Sequence, residues 1–186
     1  MALTNKQLLV VSTGLGVQAA ILVLINGYMP KACHGMDMMW IAFQAWAVYF
    51  VAGCTPKDGV KVWIGYISGI IASVAIIKLM GVPGIKDIPM LGNMNLVMAV
   101  AVFIVVIPAI MTENLKNFVP GLFIGSGAYF ATLNSTQLAG ALPEAASANL
   151  PLLYAAQAEI IYCAFGLSFG WITVTWRGKY EASLAK

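Results

Sequence analysis

One carboxylate stands inside an otherwise apolar stretch of the sequence and is the first candidate for chemistry. Glu159 lies within the segment Ala155–Ile161, with Gln157 close by. An ionisable side chain at membrane depth is energetically costly, so it usually faces the interior of a helix bundle and serves a function. We expect Glu159 to contact a cationic solute, to carry a proton, or to be a structural carboxyl bonded to a neighbouring helix.

Polar and aromatic side chains in the apolar segments form a second set of candidates. Hydrogen-bonding groups inside a membrane can line a path for a neutral solute, although they more often join neighbouring helices. Paired aromatic rings can constrict such a path, although each ring taken singly is more often a packing residue. The predicted substrate path consists of Phe43, Gln44, Tyr49, Phe123, Ser126, Tyr129 and Glu159.

A third group combines side chains that suit Cu(I). Residues 33–39 supply a thiol, the only imidazole of the chain and several thioethers, which are soft ligands for this ion. The candidate metal ligands are Cys33, His34, Met36, Met38 and Met39. Met94 and Met98 follow at a four-residue step in a later apolar segment. Because methionine is common in membrane helices, an apolar packing role is the favoured alternative.

The residue patterns on which most enzymes depend are absent from the sequence. It contains no paired carboxylates, nucleophile–base combination, phosphate-binding loop or zinc-ligand spacing. The net charge is only +3 and there is no run of Lys or Arg, so nucleic acid is not an expected partner. We therefore predict no catalytic residues, no cofactor and no enzymatic activity.

Composition indicates which kind of scaffold positions these residues. Hydrophobic residues make up 61% of the chain, charged residues make up 9%, and the mean hydropathy is +0.87. A soluble globular domain carries about 25% charged residues, so this chain could not cover a core with a water-exposed surface. We predict a single all-α integral membrane domain over residues 1–186, surrounded by the lipid bilayer.

Six apolar segments are candidates for membrane-spanning helices. Their approximate bounds are Gln7–Tyr28, Met38–Cys54, Val60–Met80, Met90–Met111, Phe118–Leu133 and Leu152–Trp176. The first is long enough to cross about 30 Å of hydrocarbon, and we expect it to be a membrane helix rather than a cleaved signal peptide. The second and fifth are short and rich in glycine or aromatic residues, which is typical of segments beside a permeation site.

Basic residues are distributed unevenly about the predicted spans. With six spans, both termini, the second loop and the fourth loop share one side of the membrane. That side holds seven of the ten basic residues, namely Lys6, Lys57, Lys61, Lys116, Arg177, Lys179 and Lys186. Because basic residues favour the cytoplasmic side, both termini are predicted to be cytoplasmic.

Glycines four residues apart predict close contacts between helices. The pairs are Gly65/Gly69, Gly121/Gly125 and Gly166/Gly170. Small residues at this spacing let helix backbones approach one another. The contacts can lie within one bundle or between protomers, and we expect a homo-oligomer.

The second and fifth segments are weakly similar at an offset of 80 residues. Phe43 aligns with Phe123, and the pair 49–50 aligns with the pair 129–130 as Tyr-Phe in both places. Three spans per half would make two halves cross the membrane in opposite directions, as in the inverted repeats of many transporters. We predict repeat halves of residues 1–81 and 82–186, with chance similarity in a chain rich in Phe, Ala and Gly as the alternative.

Two stretches of the sequence resemble a known family. Residues 118–131 are similar to the Phe-Val-Pro-Gly-x-Phe-Ile-Gly segment of the YcdZ-like bacterial inner-membrane proteins, whose function is unknown. Residues 46–56 resemble the aromatic-then-polar stretch of the same family. The resemblance implies a small multi-pass protein of the bacterial inner membrane, and it supplies no established reaction.

These features lead to one main functional hypothesis and two alternatives. The main hypothesis is a channel or transporter for a small solute, with its path at the interface of the second and fifth helices. The first alternative is a Cu(I)-handling membrane protein that uses residues 33–39. The second is a non-transporting accessory subunit of a larger membrane complex.

Overall fold

The computed structural model describes residues 3–89 and 95–184. Within these two ranges the regular structure consists of seven α-helices and two 3-10 helices, without a β-strand. The α-helices are α1 (Asn5–Asn26), α2 (Met39–Ala52), α3 (Pro56–Met80), α4 (Leu96–Met111), α5 (Val119–Leu133), α6 (Thr136–Ala141) and α7 (Leu150–Leu184). The 3-10 helices are Met29–Cys33 and Thr112–Leu115. The predicted all-α class is confirmed.

Four helices in the described ranges are long and apolar enough to cross a membrane. They are α1, α3, α7, and α4 together with the 3-10 helix that follows it. The shorter apolar helices α2 and α5 contain 14 and 15 residues, which correspond to a rise of roughly 21 to 23 Å. That rise is less than the hydrocarbon thickness of about 30 Å. The chain is a multi-pass membrane protein with these four helices as its long apolar segments.

Local sequence signals fix the start of several helices. Thr4 accepts a hydrogen bond from the amide of Gln7, whose side chain accepts one from the Thr4 amide at 2.8 Å, so α1 begins with a capping box. Thr55 caps α3 by accepting from the amide of Asp58 at 3.2 Å. Pro120 stands in the first turn of α5. Backbone N–H groups in the first turn have no partner within the helix, so proline costs no hydrogen bond there.

Two elements differ from the segments predicted from hydropathy. The short helix α6 begins because Ser135 accepts a hydrogen bond from the amide of Leu138 at 3.1 Å, a polar cap that hydropathy does not detect. Helix α7 continues from the predicted end at Trp176 to Leu184. The pair Arg177–Glu181, at 2.7 Å, spans one turn of this extension. Hydropathy marks the apolar part of a helix and not the point at which its hydrogen bonds stop.

The most extensive helix contact joins α3 to α5 and depends on the predicted glycines. A Cβ atom added at Gly69 would clash with the carbonyl oxygen of Leu122 and lie 2.5 Å from the amide nitrogen of Ser126. A Cβ atom at Gly125 would lie 2.6 Å from the Cα atom of Tyr66. The two backbones therefore touch at a distance that only glycine allows.

A second extensive contact joins α2 to α7 in a similar way. A Cβ atom at Gly166 would clash with the carbonyl oxygen of Ala42, and one at Gly170 would lie 2.8 Å from the ring of Tyr49. Helices α3 and α7 also pack against each other. All three glycine pairs thus serve contacts within one chain.

Helices α1 and α4 lie at the periphery of the bundle. Helix α4 packs on α3, and Ala101 is its only buried residue among those described. Helix α1 contacts α7, where Thr173 donates a hydrogen bond to the side-chain oxygen of Gln18. Asn26, at the end of α1, donates to Asp37 at 2.9 Å. Most of the surface of both helices is apolar and open to lipid.

Adding a methyl group at the close contacts tests this packing. We expect Gly69→Ala and Gly166→Ala each to lower the free energy of unfolding by about 1–3 kcal/mol, because the opposing atoms are backbone and cannot rotate away. Thermal unfolding of the purified protein in detergent measures the change. The matched control is Gly16→Ala in α1, where an added Cβ has no heavy atom within 4 Å among the described residues. Equal unfolding midpoints for all three variants would contradict this account of the packing.

Candidate functional site

Glu159 is enclosed at the centre of the bundle. It lies nine residues after Leu150, the first residue of α7, which places it roughly 14 Å along the helix axis. Its side chain is 0% exposed, and neither carboxylate oxygen has a hydrogen-bond partner in the described part of the chain. An isolated ionised carboxylate is very costly in a low-dielectric interior. In this arrangement the group must be protonated or neutralised by a bound cation.

Helices α3, α5 and α7 supply the polar groups around Glu159. The hydroxyls of Tyr66 and Tyr129 and the thiol of Cys163 lie close enough to interact with its charge. All three side chains are fully buried. Within the described ranges, the salt bridges join Lys61 to Asp58 and Arg177 to Glu181, and Glu159 takes part in none. Glu159 therefore shares the buried interior with three side chains that are uncharged when protonated.

The two tyrosine hydroxyls differ in how they are satisfied. Tyr129 donates a hydrogen bond to the carbonyl oxygen of Leu152 at 2.9 Å. The hydroxyl of Tyr66 is buried and has no partner among the residues described. Hydropathy and repeat arguments do not single out Tyr66. Its position between Gly65 and Gly69 is the signal that could have found it, because a residue beside such a pair packs directly against the partner helix.

Tyr49 is a third buried tyrosine and lies on α2, where its ring packs against Gly170 of α7. Its hydroxyl has no hydrogen-bond partner among the described residues, and the side chain is 1% exposed. It lines a largely apolar cavity of about 290 Å³ between α2, α3 and α7. Trp63, Ser168 and Trp171 also line this cavity. The cavity is open to the outside of the bundle, where Val60 and Trp171 are exposed.

The structure separates the other predicted path residues from Glu159. Phe43 and Phe123 are 37% and 48% exposed, and Gln44 is also exposed, so these side chains lie on the outer surface of the bundle. Ser126 is half-buried, with its hydroxyl 2.8 Å from that of Ser73 on α3. Tyr129, like Glu159, is fully buried within the bundle. This arrangement follows from the glycine contacts, which hold α2 against α7 and α5 against α3.

Residues 33–39 lie at the end of the bundle where α7 begins. His34 stacks on Tyr154 with 3.5 Å between ring centroids, and its Nε2 atom donates to the side-chain oxygen of Gln157 at 2.8 Å. Gln157 in turn donates to the carbonyl oxygen of Ala32 at 3.1 Å. Tyr162 donates from its buried hydroxyl to the carbonyl oxygen of Met36. These bonds fix the segment onto α7.

The predicted Cu(I) ligands are divided between the core and the surface. Cys33, Met36 and Met38 are buried, Met39 is half-buried, and His34 is exposed. Burial raises the pKa of the Cys33 thiol to about 11, so the thiol is protonated at neutral pH. No group of three or more His, Cys, Asp or Glu side chains in the described ranges is arranged to hold a metal ion. Met90 and Met94 lie outside the described residues, and Cu(I) binding stays a prediction.

The tyrosine hydroxyls provide a matched test of the site. Tyr129→Phe removes a buried hydrogen bond and is expected to lower the free energy of unfolding by about 0.5–1.5 kcal/mol. Tyr66→Phe removes a hydroxyl without a partner and is expected to leave stability unchanged or slightly higher. Thermal unfolding of both variants in one detergent measures the difference. A larger loss of unfolding free energy for Tyr66→Phe than for Tyr129→Phe would contradict this account, because it would mean that the Tyr66 hydroxyl makes a hydrogen bond.

Comparison with known proteins identifies a family. The model of the family described as "Protein of unknown function (DUF1097)" matches residues 13–175, which is most of the chain. No curated protein and no solved structure matches the chain. The chain belongs to the DUF1097 family.

Proposed function

We propose that this DUF1097 protein moves a small solute across the membrane through the centre of its bundle. The observation that carries the proposal is Glu159, a fully buried carboxyl without a hydrogen-bond partner among the described residues. Burying such a group costs stability, and ionisable residues inside membrane helices commonly mark transport pathways. The proposed path follows the contact of α3 with α7, past Tyr66, Tyr129 and Glu159, and continues into the cavity beside Tyr49.

The closed core favours a transporter over an open pore. Glu159, Tyr66 and Tyr129 are each 0% exposed, so a water-sized probe reaches none of them. A permanently open channel would keep such groups in contact with water. The proposed cycle therefore includes movement of helices that opens the site to one side of the membrane at a time.

The pairing of the helices supports the predicted inverted repeat. In the predicted repeat, α1 is equivalent to α4, α2 to α5, and α3 to α7. Each main helix–helix contact then has an equivalent contact that the structure also contains. The contact of α2 with α7 becomes that of α5 with α3, and the contact of α1 with α7 becomes that of α4 with α3. The contact of α3 with α7 is unchanged, so the proposed symmetry axis passes between these two helices. A site on such an axis is where inverted-repeat transporters bind substrate.

Two further observations at the offset of 80 residues support the repeat. Gly69 approaches the carbonyl oxygen of Leu122, whereas Gly166 approaches that of Ala42, and these two partners are 80 residues apart. The pattern of burial along α2 is also similar to that along α5. Tyr49 and Tyr129 are both buried, and Phe43 and Phe123 are both exposed. These matching backbone contacts and burial patterns support the repeat beyond the similarity of sequence.

The proposal includes the finer details of membrane organisation. It comprises six spans in a bacterial inner membrane, cytoplasmic termini, a homo-oligomer in the lipid bilayer, and the YcdZ-like branch suggested by residues 118–131. The weakly buried helices α1 and α4 offer apolar faces for lipid or for a second protomer. In a six-span protein, α2 and α5 cross despite their length, with the bilayer locally thinned or their loops drawn inward.

Labelling of single cysteines distinguishes six spans from four. In a variant without native cysteines, a six-span protein with cytoplasmic termini exposes Asp87→Cys outside the cell and Lys57→Cys inside, because Lys57 lies in the first turn of α3 and Asp87 lies beyond the other end of that helix. If α2 and α5 do not cross, the sides of these two residues are reversed. A membrane-impermeant maleimide applied to intact and to opened cells measures the side. We expect Asp87→Cys alone to react in intact cells, and the reverse result would refute six spans with cytoplasmic termini.

Solute flux into proteoliposomes tests the proposed activity. Vesicles with the purified protein are exposed to gradients of small neutral, amine and carboxylate solutes, and volume changes are followed by stopped-flow light scattering. We expect flux selective for one solute class that falls toward the rate of empty vesicles in Glu159→Gln. The control is Glu144→Gln, which alters an exposed carboxyl before α7. No flux for any solute, together with stoichiometric co-purification of other chains, would favour an accessory subunit instead.

A further inference from the structure

Glu159 needs a neutralising partner that fits a closed site. Its two oxygens have none among the described residues, and its side chain has no contact with a water-sized probe. A hydrated metal ion or an organic cation requires space and several ligand atoms. A proton requires neither, because it becomes part of the carboxyl group.

We infer that Glu159 is a proton-binding site whose proton is exchanged in each cycle, so that solute movement is coupled to proton movement. The inference rests on the proposed transport function and adds the identity of the coupling ion. One O–H bond forms on Glu159 when a proton arrives from one side of the membrane. The same bond breaks when that proton leaves toward the other side.

The groups that face Glu159 are compatible with this exchange. Tyr66 from α3, Tyr129 from α5 and Cys163 from α7 are buried with it, and each is uncharged in its protonated form. The titratable residue of α2 is Tyr49, which packs against Gly170 of α7 and is uncharged in its protonated form. None of these groups supplies a positive charge that would hold Glu159 as a carboxylate in the closed state.

The burial of Glu159 also links its protonation to the opening and closing of the site. In the closed state the low dielectric makes an unpaired carboxylate unfavourable by several kcal/mol or more, so closure without solute requires the proton to be bound. In a state open to water the carboxylate is hydrated and the proton can dissociate. In the passage without solute, the site closes only when Glu159 is protonated, and one proton crosses. In the opposite passage a bound cationic solute neutralises Glu159 in place of the proton, so one proton is exchanged for one solute molecule in each cycle.

Infrared spectroscopy tests the inference without knowledge of the solute. The purified protein in lipid nanodiscs is measured near neutral pH, where exposed carboxyls are ionised. We expect a C=O stretching band of a protonated carboxyl that is lost in Glu159→Gln and retained in Glu144→Gln. After transfer to D₂O the band is expected to shift while the protein stays folded, because the site opens and exchanges its proton.

Two results would overturn the inference. A wild-type protein without the band holds Glu159 ionised, and a band that never shifts in D₂O belongs to an inert structural carboxyl. If Glu159→Gln does not fold, Glu159→Asp keeps a carboxyl and is expected to move the band to a new frequency. If solute flux is measured but the protonated-carboxyl band is absent, the proposed transport stands and proton coupling is wrong. If the band is present and shifts in D₂O but no solute moves, the proposed transport is wrong while Glu159 still binds an exchangeable proton.

Discussion

The close approach of helix backbones at glycines is the constraint on which the rest of this structure depends. Gly69 and Gly125 hold α3 against α5, while Gly166 holds α2 against α7. In a membrane, helices gain little from hydrophobic burial against one another, so contact area and shape determine association. These contacts leave little space between the four helices, and a carboxyl on α7 has no access to water. The isolation of Glu159 is a consequence of packing that its own sequence neighbourhood does not specify.

The sequence predicted the helical class, the apolar segments and the glycine contacts, because each depends on local composition or spacing. It also identified Glu159, since a carboxylate in an apolar segment is visible without any fold. Tyr66 was missed although it stands between Gly65 and Gly69, because that pair predicts a helix contact and does not say which buried groups lie near it. Its importance arises from α7, which lies about a hundred residues later in the chain.

The predicted path residues show what an alignment of two segments of the same chain can and cannot predict. The offset of 80 residues aligned Phe43 with Phe123 and Tyr49 with Tyr129. Both pairs are equivalent in burial, but the phenylalanines are exposed and the tyrosines are buried. A repeat in sequence therefore identifies equivalent positions without saying which face of the helix they share. That information comes from the partner helix, which is α7 for α2 and α3 for α5.

The length of α7 has a practical consequence. Its 35 residues extend over about 52 Å, so its last turns project beyond the hydrocarbon as a continuous, rigid rod. A chain of 19.8 kDa offers few features for particle alignment in electron microscopy. A soluble protein joined in helical register after α7 would turn with the bundle rather than tumble freely. A rigid fusion to the helix that carries Glu159 would therefore add the mass and shape that particle alignment needs.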